Sequence, residues 1–136
     1  MAQKISDIPS LNLAFLGDAV YELILREDAV RKEKGNVDVL NKKKTEYSKA
    51  VTQAKIVDIL LGKTEGTSCI LTDEEQTILR RGRNAKSVSL PKSCTPSEYR
   101  KATGFEALIG YLYLQGRQQR IMEIVSYGID KFKENK

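Results

Sequence analysis

Two apolar helical runs, far apart in the chain and each broken by one carboxylate, constrain this sequence more than any other feature. The first is Leu13-Ala14-Phe15-Leu16-Gly17-Asp18-Ala19-Val20-Tyr21. The second is Thr103-Gly104-Phe105-Glu106-Ala107-Leu108-Ile109-Gly110-Tyr111-Leu112. A charged acid is rarely buried without a partner. Asp18 and Glu106 therefore have two readings. Either they share a cation between the two helices, or each sits on a solvent face or in an ion pair. These two positions alone leave both readings open.

Composition removes several kinds of chemistry. The chain has no histidine, and its two cysteines, Cys69 and Cys94, stand in no CxxC spacing. No zinc site is expected, and histidine-based acid–base or triad chemistry is excluded. Carboxylates, lysines, tyrosines or a hard metal remain. The length of 136 residues suits one domain spanning 1–136. No run of about 18 apolar residues is present, so no membrane span is expected. The N-terminus has no apolar signal region, which makes a cytoplasmic protein the expectation.

Helical signals cover the rest of the chain. The spacing predicts a helix from about Leu11 to Lys32, capped by Ser10, with Leu13, Leu16, Val20, Leu23 and Ile24 as its buried stripe. Gly17 in its interior costs about 1 kcal/mol relative to alanine. A close approach by a backbone or ligand, or helix crowding, would account for it. Helices are predicted over about Val37–Ala50 and Ala50–Leu61, the latter closed by Gly62 and burying Val51, Ile56, Val57, Leu60 and Leu61. Lys42-Lys43-Lys44 reads first as a solvated face, with RNA or DNA contact as the alternative. Thr72-x-x-Glu75 is a capping box that starts a helix near Asp73, with Gly82 as a left-handed stop. Thr95-Pro96-Ser97-Glu98 is a second box with proline at the first helical position, opening a helix to about Leu114. A last helix is predicted from about Arg117 to Phe132. No useful segment alternates with period two. The reading is all-α with about six helices.

The net charge of +5 is concentrated: seven basic residues and one acid, Glu98, fall between Arg80 and Lys101. Such a segment is either a phosphate-backbone footprint or a solvated loop, and charge alone does not choose. On the first reading Arg80, Arg81, Arg83, Lys86, Arg100 and Lys101 hold phosphates, and Asn84 bonds a sugar hydroxyl or shapes the loop. Asp18 and Glu106 are oxygen ligands suited to Mg²⁺, with Mn²⁺ as a substitute. Such an ion supplies water activation and phosphate charge stabilisation. Glu22, one helical turn from Asp18, is either a second-shell residue or an ion-pair partner, and the ion pair is the stronger reading. Tyr99, Tyr111 and Tyr113 read as packing or interface residues before base-stacking ones.

At this point the residues match a known family. Phe15-Leu16-Gly17-Asp18-Ala19-Val20 resembles the signature of the ribonuclease III catalytic domain. Phe105-Glu106-Ala107-Leu108-Ile109-Gly110 resembles its second acidic motif. Arg81-Gly82-Arg83-Asn84-Ala85-Lys86-Ser87 and Tyr99-Arg100-Lys101-Ala102-Thr103 extend the likeness to the family's short bacterial branch. The resemblance covers about Leu11 to Met122. It implies an all-helical homodimeric endonuclease that cuts double-stranded RNA with Mg²⁺ and matures large-subunit ribosomal RNA precursors. It also implies a catalytic domain without a separate double-stranded-RNA-binding domain, and a ribosomal protein as a further candidate partner. Longer members of the family carry acids at positions held here by Leu11, Ala14 and Thr103, and a further glutamate nearest Ala50. The two remaining acids favour one Mg²⁺ per subunit. The alternative is a catalytically silent helical RNA-binding protein on the same scaffold.

Overall fold

The computed structural model describes residues 4–86 and 93–135. A 3-10 turn at Ile5–Asp7 precedes six helices: α1 (Ser10–Lys32), α2 (Val37–Ser48), α3 (Ala50–Leu60), α4 (Asp73–Asn84), α5 (Pro96–Leu114) and α6 (Gln118–Glu134). Among the described residues the only β feature is an isolated bridge between Leu61 and Cys69. The all-α, six-helix expectation is met. Pro91 and the linker around it lie outside the described residues.

Helix α5 is the axis of the core. Residues Ala102 to Leu112 are all buried except Glu106. Helices α1, α3, α4 and α6 pack around it, and the α1–α5 contact is the most extensive. Both expected capping boxes form. The Thr95 N–H donates to Glu98 Oε1 at 2.9 Å and the Glu98 N–H to Thr95 Oγ1 at 3.1 Å. Thr72 and Glu75 do the same for α4.

Glu75 has a second task. It is 1% exposed and receives Arg120 from α6 at 2.7 and 2.8 Å. Burial alone would raise its carboxyl, but Arg120, together with the Thr72 backbone, holds it below the usual range. Removing one partner of a buried pair strands the other. Arg120→Met is therefore expected to cost about 3–5 kcal/mol in urea unfolding. A loss of under about 1 kcal/mol, the value of an exposed pair, would contradict that role.

Several expectations need correction. The buried face of α1 is Leu13, Ala14, Gly17, Tyr21, Leu25 and Ala29. Leu23 is 65% exposed, and Leu16, Val20 and Ile24 are only half-buried. The cause is the approach of α5, whose backbone touches α1 at Gly17. Ser10 is the first helical residue, and Pro9 takes the cap position without a side-chain bond. The second helix ends at Ser48, because Lys49 is extended (φ −71°, ψ 151°). In α3, Val51 and Leu61 are only half-buried. Gly62 closes that helix as expected, at φ +72°. Gly82 is no stop: it lies inside α4, buried against α5. A Cβ there would sit 2.8 Å from Gly104 Cα. Lys44 is not a solvated residue but an ion-pair partner of Glu22 at 3.2 Å.

Candidate active site

Asp18 and Glu106 meet where the backbones of α1 and α5 touch. A Cβ on Gly17 would stand 1.7 Å from the Glu106 carbonyl oxygen, and one on Gly110 would stand 2.0 Å from the Leu13 oxygen. Only two glycines facing each other permit this approach. It brings Asp18, the next residue after Gly17, into one cleft with Glu106. Beneath them the Tyr21 ring packs edge-on against Phe105, with centroids 5.0 Å apart. The Tyr21 hydroxyl donates to the Tyr47 carbonyl at 2.8 Å, which holds that floor in place.

The two carboxyl groups lie within hydrogen-bonding reach of each other. Burial, and then Asp18, push the Glu106 carboxyl up to about 8. Among the described residues neither acid forms a salt bridge with a lysine or arginine. They line an open cleft of about 240 Å³ with Leu11, Ala14, Phe15, Tyr99 and Thr103. Leu11, Ala14 and Thr103 are the positions where longer ribonuclease III members carry acids. The structure places all three on the cleft wall, where they add no charge. Ala50, the fourth such position, does not line the cleft.

This donor set fits a hard divalent cation. Two acids share one cleft, neither with a basic counterion among the described residues, and partial burial first and Asp18 second raise the Glu106 carboxyl. A cation there relieves both the repulsion and the burial penalty. Among the described residues no cluster of three or more His, Cys, Asp or Glu side chains forms. Two carboxylates are a set that Mg²⁺ would accept, since it keeps several waters and commonly binds one or two carboxylates plus a substrate phosphate.

Glu22 turns away from the cleft. Its carboxylate receives Arg26 at 2.5 Å and Lys44 at 3.2 Å. Burial alone would raise it, but these two cations pull it below the usual range. The ion-pair reading is the one the geometry favours.

The basic segment reaches the site through helix packing. A Cβ on Gly104 would lie 2.6 Å from the Leu79 oxygen and 3.2 Å from the Arg83 nitrogen. The last turn of α4 is thus clamped to α5 two residues before Glu106. Arg80, Arg81, Asn84, Lys86 and Arg100 are exposed, and Arg83 is half-buried. Arg81 donates to the Ser6 carbonyl at 3.3 Å, and Arg83 to Asn84 Oδ1 at 3.4 Å. Lys101 differs from the expectation: it pairs with Asp58 of α3 at 3.1 Å and is less available to a phosphate than its neighbours. Tyr111 is buried and bonds Glu74, whereas Tyr113 is 40% exposed.

One site neighbour escaped the sequence reading. Gln53 of α3 is buried, and its amide reaches Glu106. A glutamine gives little sign from sequence that it will be buried. The only hint is its place on the face of α3 that also carries Ile56, Val57 and Leu60.

The fold, the paired acids and the adjoining basic turn define a ribonuclease III domain, whose family model matches residues 11–117. The chain belongs to the ribonuclease III family, and within it to the Mini-ribonuclease III branch. It is 42% identical to the Mini-ribonuclease 3 of Symbiobacterium thermophilum, over 90% of this chain and 89% of that protein. It is 40% identical to the one from Thermoanaerobacter sp., over 97% of this chain and 88% of that protein. An X-ray structure of a Fusobacterium nucleatum protein superposes with a TM-score of 0.79 at 33% identity, covering 96% of this chain and 98% of that one. The protein is an endoribonuclease. Among the described residues no helix is long and apolar enough to cross a membrane.

Proposed function

We propose that this endoribonuclease cuts double-stranded RNA in the cytoplasm, using Mg²⁺ (or Mn²⁺ in its place) held by Asp18 and Glu106. Its natural substrate is a precursor of large-subunit ribosomal RNA. The observation that carries the reading is the contact of two carboxyl groups, without a basic partner, at the closest approach of two helices. When bound, a divalent ion supplies an activated water and stabilises charge on the phosphate. The chain's own residues supply the rest. Asp18, which is exposed, and Glu106 beside it would hold the ion between α1 and α5. Arg80, Arg81, Arg83, Lys86 and Arg100 hold the phosphate backbone of a duplex, read by shape and 2′-hydroxyls. Asn84 bonds a sugar hydroxyl beside them.

We further propose that residues 1–136 form one catalytic domain that grips the duplex with this surface, and that it works as a homodimer. Support for the dimer lies beside the cleft. Phe15 is 84% exposed and Leu11 40% exposed, and both line the cleft with Asp18. An exposed apolar rim of this kind suits a second copy.

The test is cleavage of a long double-stranded RNA by the purified protein, with Mg²⁺ and with EDTA, beside Asp18→Asn. Cuts that need Mg²⁺ and vanish in the variant are expected, with RNA binding retained. Binding without cleavage by the wild type would favour the silent scaffold or a substrate presented by a ribosomal protein. Replacing Arg81 and Arg83 together by alanine is expected to weaken RNA binding at every sequence and to flatten its salt dependence. An unchanged salt slope would move the duplex away from the end of α4.

A further inference from the structure

Gln53 of α3, a helix packed against α5, is 3% exposed. Its Nε2 donates to the Ser48 carbonyl at 2.8 Å. Exchanging the amide nitrogen and oxygen would set two acceptors against each other, so the Ser48 bond fixes the orientation. The amide also lies within reach of the Glu106 carboxyl. Its Oε1 is buried and accepts no hydrogen bond from any described group. Buried acceptors in folded proteins are nearly always satisfied, so an orphan beside a candidate site calls for a donor. Carboxylates that hold a cation are ionised and donate nothing, so in the ion-bound state neither Asp18 nor Glu106 would satisfy Oε1. The Thr103 hydroxyl is committed to the Tyr99 carbonyl at 3.0 Å. Water fits. A hydrated Mg²⁺ brings several, each with protons directed outward.

We propose that Gln53 is a positioning residue of the ion site: anchored on Ser48, it orients the Glu106 carboxyl and offers Oε1 to a water in the shell of a divalent cation. The proposal rests on Asp18 and Glu106 being the ion's ligands. Residues behind a metal's direct ligands orient them, and losing one weakens metal binding by about 10–100-fold.

The experiment uses the full chain with Mn²⁺ as the probe, its free concentration followed by electron paramagnetic resonance. Gln53→Met keeps the volume and removes the amide. It is expected to fold, by circular dichroism, and to bind Mn²⁺ at least about tenfold more weakly. Its cleavage should recover as Mg²⁺ is raised. Wild-type Mn²⁺ affinity in the variant, or cleavage lost at every Mg²⁺ concentration, would overturn the role, the latter by pointing to structure alone. Asp18→Asn separates the two proposals. If it binds Mn²⁺ as the wild type does, the ion site itself is misplaced and the Gln53 role falls with it. If Gln53→Met does not fold, the wild-type Gln53 side-chain amide is followed by NMR during Mg²⁺ addition. A shift that saturates with the ion is expected, and a stationary signal overturns the proposal.

Discussion

Gly17→Ala costs this protein at least about 3 kcal/mol and lowers its melting temperature by roughly 10 °C or more. The added Cβ would lie 1.7 Å from the Glu106 carbonyl oxygen, 2.7 Å from its carbon and 2.8 Å from the Gly110 nitrogen. All three are backbone atoms of α5, so no rotamer change relieves the clash. The helices must part along the most extensive contact in the fold. Gly110→Ala meets the Leu13 oxygen at 2.0 Å and should behave alike. Helix propensity acts in the opposite direction, since alanine is the better helix former by about 1 kcal/mol. The exposed neighbour gives the control. Ala19→Gly loses only that propensity term, about 1 kcal/mol. Thermal and urea melts of the three variants decide the matter. A Gly17→Ala protein as stable as the wild type would mean that α1 and α5 separate freely. The same variant should lose cleavage in whatever fraction stays folded, because the displaced atoms carry Asp18 and Glu106.

That crossing also explains what was and was not legible in the sequence. The helices were, because their signals are local: two capping boxes, Pro96, Gly62 and the apolar runs. The pairing of Asp18 with Glu106 was legible in kind, since each acid interrupts an otherwise apolar helix. The rotation of α1 was not. That helix is apolar on most sides, and of the expected stripe Leu13 is buried, Val20 and Ile24 pack half-buried against the core, and Leu23 faces solvent. Gly17, whose lack of a side chain lets the two backbones touch, sets that rotation. Gly82 misled for a similar reason. A glycine near a helix end reads as a stop, and its true partner, Gly104, is distant in the chain. Lys44 and Lys101 read as solvated or phosphate-binding charges, yet Glu22 and Asp58 claim them from other helices. Pairing between helices leaves no mark in local sequence.

Glu106→Gln separates what the site needs for chemistry from what the fold needs for stability. Cleavage should fall by roughly a thousandfold or more, the scale of losing a principal electrostatic stabiliser of the transition state. Stability in EDTA should move the other way. The native Glu106 carboxyl is raised from 4.5 to about 8, first by burial and then by Asp18. The folded protein therefore holds this proton more tightly than the unfolded chain does. Near pH 4 Glu106 imposes no penalty. As pH rises from the unfolded value through the folded one, stability is lost, up to a few kcal/mol, about 1.4 for each unit between them. Glutamine never ionises, so the variant escapes that loss. In EDTA it should match the wild type near pH 4 and exceed it at pH 8. Mg²⁺ should narrow the gap by stabilising only the wild type at pH 8, since ligand binding to the native state adds to stability. Equal melts at both pH values would show that the folded protein does not hold Glu106 protonated. A gap that Mg²⁺ leaves untouched would show that the ion does not bind there. The arrangement that makes the metal-free protein give way as pH rises is the one that prepares two acids to receive a cation.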